Sequence, residues 1–108
     1  MFGLAHCSTC QKALTDLEAA GWRVLFRDVR TAPLSNSEWQ QMIAGFGERL
    51  VNRASLTWRA MSEEERAATP LAMLSARPAL MKRPAIIVEG QRLLGWTANV
   101  KRALGVAA

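Results

Sequence analysis

Cys7-Ser8-Thr9-Cys10-Gln11-Lys12-Ala13-Leu14 lies between a short apolar run, Phe2 to Ala5, and an amphipathic helical pattern, and it holds both cysteines of the chain. A helix N-terminus carries about half a positive charge and presents unpaired N–H groups, so a thiol placed there is stabilised as its thiolate. In such settings a cysteine pKa falls from about 8.5 to about 3.5–7.5. The spacing therefore predicts Cys7 as a nucleophile ionised near neutral pH. Cys10, one helical turn further on, is placed to resolve a mixed disulfide.

The chain outward from this segment is 108 residues long and half apolar, enough for one packed core and too little for two. This predicts a single domain over residues 1–108. Two cysteines make no disulfide framework, and with His6 as the one histidine four zinc ligands are hard to find, so no metal is expected. Redox use of the pair in a reducing compartment is the better reading, with buried structural thiols as the alternative. No run reaches the roughly 18 apolar residues of a membrane span, and the first six residues lack a basic segment followed by a signal-peptide core. A soluble, cytoplasmic protein with no membrane contact is expected. The net charge of +5 comes from 14 Lys and Arg against 9 Asp and Glu, spread along the chain. Without a basic stripe interleaved with aromatics, direct nucleic-acid binding is not expected.

Phe2 to Ala5 reads as a buried strand. The following helix has Cys10, Ala13, Leu14 and Leu17 on its apolar side and Gln11, Lys12, Asp16 and Glu18 on its wet side, with Gly21 as the stop. Trp22, Val24 and Phe26 alternate with Arg23, Leu25 and Arg27, which predicts a second strand, parallel to the first because a helix joins them. Ser35-Asn36-Ser37-Glu38 is a capping box with Leu34 and Trp39 as its staple, and Gly45 and Gly47 are placed to end that helix. Ser62-Glu63-Glu64-Glu65 repeats the box, and Thr69-Pro70 opens a further helix. Residues 35–81 thus form a helical insertion after the second strand. Ala85 to Val88, the turn Glu89-Gly90 and Gln91 to Leu94 form a hairpin, and Thr97 caps a last helix. The order βαβ, helices, ββα gives an α/β class with a mixed sheet. With a Cys-x-x-Cys between the first strand and helix, it points to a thioredoxin-like fold.

In that fold a proline before the last strand pair is commonly cis and faces the active cysteine, and Pro84 has this place. Arg83 before it would bring a guanidinium to the thiol, with paired donors for an anion. The four tryptophans, Trp22, Trp39, Trp58 and Trp96, suit core or interface better than a cofactor box.

Taken together, Cys7 to Leu14, Leu50-Val51-Asn52-Arg53, Thr57-Trp58-Arg59, Ser62 to Glu65, Met81-Lys82-Arg83-Pro84 and Leu93-Leu94-Gly95-Trp96 resemble the arsenate reductase (ArsC-like) family over about residues 4–104. That family includes glutaredoxin-coupled arsenate reductases, YffB-type proteins and Spx regulators that contact RNA polymerase. The resemblance implies a thiol oxidoreductase with Cys7, Arg83 and Cys10 as catalytic residues. Pro84, Arg53 and Lys12 would contact substrate. No bound cofactor is implied; glutathione would serve as co-substrate and glutathione or glutaredoxin as partner. Where arsenate reductases carry a third arginine this chain has Gly95-Trp96, which predicts poor arsenate turnover, since a charge-assisted hydrogen bond contributes about 1.5–3 kcal/mol. The Cys-x-x-Cys itself is similar to that of Spx-type sensors, and implies an alternative in which a Cys7–Cys10 thiol/disulfide switch governs binding to RNA polymerase.

Overall fold

A computed structural model describes residues 1–107. The chain separates into two compact units, one built from Met1–Asp28 with the chain from Arg83 onward, the other from Val29–Lys82.

The first unit holds the sheet. Strand β1 (Phe2–Gly3) leads through a tight turn into helix α1 (Ser8–Ala19), and strand β2 (Arg27–Asp28) returns parallel to β1, with Phe2 opposite Arg27 and Gly3 opposite Asp28. In the sheet order β2-β1-β3-β4, β3 (Ala85–Val88) is antiparallel to β1 and to β4 (Gln91–Leu94). This mixed four-stranded sheet with its crossover helix is the thioredoxin-like arrangement expected from the sequence. The hairpin turns at Glu89-Gly90, and both residues take positive φ (46° and 79°), as a two-residue turn between twisted strands requires. Closing the unit is a helix, here numbered α6 (Ala98–Ala103), with the Thr97 side chain accepting from the Val100 N–H. Leu17, Ile86, Val100 and Leu104 form its buried centre, with Trp22, Val24 and Trp96 packed around them.

Two strand boundaries differ from expectation. The Phe2 to Ala5 run is a ladder only at Phe2 and Gly3, and the predicted strand over Trp22 to Phe26 lies outside the ladder, which begins at Arg27. The alternation itself is present: Trp22, Val24 and Phe26 are half-buried while Arg23 and Leu25 are exposed. Hydrogen bonds from Met1 N to the Leu25 carbonyl and from Arg27 N to the Met1 carbonyl tie this segment beside β1. A two-residue β1 offers no further partners, so the extended run stays unladdered.

The second unit holds α2 (Asn36–Phe46), α3 (Leu56–Arg59), α4 (Glu63–Arg66) and α5 (Pro70–Ala76), with 3-10 turns at Gly47–Leu50 and Pro78–Leu80. Both predicted capping boxes are present, Ser35 with Glu38 and Ser62 with Glu65. Gly45 lies inside α2 rather than ending it; Gly47, at φ 76°, is the stop. α2 packs on α5, and Trp39, Leu50, Leu74, Leu80 and Met81 are almost fully buried. No helix among the described residues is long and apolar enough to cross a membrane.

Ser35→Ala removes the acceptor for the Glu38 N–H and is expected to lower the unfolding free energy by about 1 kcal/mol, measured by urea denaturation.

Candidate functional site

The turn after β1 delivers Cys7 to the N-cap of α1, with extended backbone (φ −82°, ψ 119°). Its N–H donates to the Leu4 carbonyl at 3.1 Å, and its own carbonyl accepts the first helical bond from Gln11 N at 2.9 Å. The Cys7 thiol is half-buried and closes no full capping bond. Burial pushes its pKa up. The N–H and thiol of Cys10, the Arg83 guanidinium and the Thr9 N–H outweigh that, and Cys7 ionises below the ordinary thiol value.

Cys10 lies one turn further on, at 1% exposure. Burial, the hydrogen bond with Cys7 and the charge on Cys7 push its thiol up to about 11, against the Leu4 backbone and Arg83, which act the other way. Two identical side chains three residues apart are therefore displaced in opposite directions from the ordinary thiol value. Both are free. What seats Cys10 is Gly3: a Cβ at that position would stand 2.5 Å from Cys10 Sγ, so the helix approaches the strand this closely only over a glycine.

Arg83 and Pro84 come from the chain entering β3. Their peptide bond is cis, Pro84 is almost fully buried, and the Pro84 carbonyl accepts from Gly95 N at 2.9 Å. Cys7, Cys10, Arg83 and Pro84 thus belong to one unit. Lys12 shares that unit, but its ammonium pairs with Asp16 at 3.5 Å along α1. Trp96 Nε1 donates to the same Asp16 carboxylate at 3.3 Å. Arg53 lies in the Val29–Lys82 unit, its guanidinium 5.4 Å from the centroid of Trp58, which Arg66 also overlies at 5.3 Å. There Arg53, Arg49 and Lys82 line a cavity of about 350 Å³ with Glu48 and Asn52. No group of three or more metal-ligating side chains occurs among the described residues.

Sequence reading passed over Gly3, although a glycine inside a strand is a recognised sign of close approach by another chain segment. It also left Gln11 as a wet-side residue. Gln11 is indeed exposed, and its amide donates to the Ala5 carbonyl from that side.

Residues 2–104 match the model of the ArsC family. An uncharacterized protein of Haemophilus influenzae is 33% identical, the match covering 95% of each chain. Among solved structures, a YffB protein superposes with a TM-score of 0.85 at 25% identity, over 95% of each chain. An arsenate reductase (ArsC) related protein from Brucella melitensis gives 0.77 at 28% identity, over 94% of this chain and 89% of the other.

Two outcomes are expected. Arg83→Ala removes a positive charge that favours the Cys7 thiolate, so the pH profile of Cys7 alkylation moves to higher pH, read by site-resolved mass spectrometry. Gly3→Ala forces the Cys10 thiol from its seat and lowers stability by about 1–3 kcal/mol, as overpacking does, measured by thermal unfolding.

Proposed function

The chain belongs to the ArsC family of arsenate-reductase-like proteins, and on that premise we propose that it is a thiol oxidoreductase in which Cys7 attacks an oxidised thiol substrate and glutathione supplies the electrons. The observation that carries this reading is the split between the two thiols, Cys7 below and Cys10 well above the ordinary value. An attacking thiol is favoured by easier ionisation and by access, and Cys7 is both lowered from the ordinary thiol value and only half-buried.

The Cys7 thiolate attacks one sulfur of a disulfide R–S–S–R′, forming Cys7–S–S–R and releasing R′S⁻, which takes up a proton. Glutathione thiolate then attacks the R sulfur of the mixed disulfide. Cys7 leaves as thiolate, and R is carried off as its disulfide with glutathione. Alternatively the Cys10 thiol gives up its proton and attacks Cys7, releasing R as a thiol, and two glutathione molecules return the Cys7–Cys10 disulfide to two thiols with formation of glutathione disulfide. In either course Arg83 stabilises the anionic sulfur at Cys7.

Arsenate suits the site less well than a thiol substrate. Where the resemblance places a third arginine stand Gly95 and Trp96, which carry no charge, and their N–H groups are already taken by the Pro84 carbonyl and by Asp16. A second reading rests on the hydrogen bond between the two cysteines: their sulfurs are neighbours, as a reversible disulfide switch governing RNA polymerase binding in the Spx manner needs.

The test is glutathione-coupled reduction of a small disulfide. Saturable turnover that is lost in Cys7→Ser and retained in Cys10→Ser supports the enzyme with glutathione resolving; loss in both assigns resolution to Cys10. Absence of turnover, together with RNA polymerase binding that changes on oxidation of the pair, supports the switch.

A further inference from the structure

The centre of the turn that delivers Cys7 is not packed into the core. Ala5 and His6, its two central residues, are both exposed. It is held by hydrogen bonds instead, and two of them come from side chains on different elements. The Ala5 N–H donates to Asp28 Oδ2 at 2.8 Å, and Gln11 Nε2 donates to the Ala5 carbonyl at 2.8 Å. Both polar groups of one residue are therefore fixed by side chains, Asp28 from β2 and Gln11 from α1, while the Cys7 N–H closes the turn on Leu4.

Asp28 is positioned by the β1–β2 ladder, where it stands opposite Gly3, and Gln11 N donates to the Cys7 carbonyl, so the two clamps refer the turn to the sheet and to the helix it opens. The direction in which the chain enters α1 decides how near the Thr9 and Cys10 N–H groups stand to the Cys7 sulfur. Those N–H groups help to hold it as thiolate. We infer that Asp28 and Gln11 are positioning residues for Cys7, clamping Ala5 from both sides so that the sulfur stays against the N–H groups of the α1 N-terminus. The inference rests on the reading of Cys7 as the activated thiolate. Neither residue touches the reacting sulfur, and neither is assigned a proton transfer.

A positioning role and a purely stabilising one differ in what they move. The experiment is the pH dependence of Cys7 alkylation by iodoacetamide, resolved by site with mass spectrometry, in wild type, Asp28→Ala, Asp28→Asn, Gln11→Leu and Trp22→Phe. Gln11 is exposed on α1, so its substitution leaves the core intact. Asn keeps an acceptor oxygen for the Ala5 N–H while losing the charge, and should restore the wild-type profile. Trp22→Phe deletes the indole bond to the Leu104 carbonyl, 2.8 Å, and should lower thermal stability without moving the profile. Asp28→Ala and Gln11→Leu should shift it to higher pH, slowing alkylation about threefold at a pH below the midpoint, since only the thiolate reacts. A wild-type midpoint below the ordinary thiol value with unshifted Asp28→Ala and Gln11→Leu overturns the positioning role alone. Equal shifts in Trp22→Phe, or no recovery in Asp28→Asn, also overturn it. A wild-type midpoint at the ordinary value overturns the thiolate reading and this inference with it.

Discussion

The close contact of α1 with β1 over Gly3 is the constraint from which the chemistry follows. Because Gly3 presents no side chain, Cys10 can bury its sulfur against the strand and bring the first turn of α1 with it. That contact withdraws one thiol from water and leaves the other at the helix mouth, where N–H groups and Arg83 favour its charge. Burial and electrostatics push the two cysteines in opposite directions, and the difference arises from backbone placement rather than from residue type.

Local chemistry made much of this readable in the sequence. The capping boxes at Ser35 and Ser62, the Thr69-Pro70 and Thr97 starts, and the Glu89-Gly90 hairpin all depend on groups within a few residues of one another, and they stand where the sequence puts them. So does the parallel pairing of β1 and β2, which a helical connection imposes. The strand over Trp22 to Phe26 failed for a non-local reason: alternation records which side chains face inward, but a ladder also needs a partner of matching length, and β1 is two residues long.

The site divides along the same line. Cys7 and Cys10 announced themselves by spacing, and the place of Pro84 carried the expectation of its cis bond. Asp28 and Gln11 were invisible because their importance lies in a contact with backbone atoms of Ala5, which no residue pattern encodes. Lys12 shows the converse. The resemblance gives it a substrate contact, and the i,i+4 geometry gives it Asp16 as a local partner besides.

The inequality between the two sulfurs also decides which bonds break easily. In an intramolecular Cys7–Cys10 disulfide the sulfur within reach of an external thiolate is Cys7, so opening the bond must expel Cys10. Burial raises the Cys10 thiol whatever the state of Cys7, and makes it the poorer leaving group. In a mixed disulfide between Cys7 and a small thiol, attack on the outer sulfur expels Cys7, the better leaving group of the pair. On that chemistry the buried cysteine would slow the opening of an internal disulfide relative to exchange at the outer sulfur of a mixed one. Under the proposed chemistry, the burial that would let the pair store an oxidised state also favours resolution by thiols brought from solution.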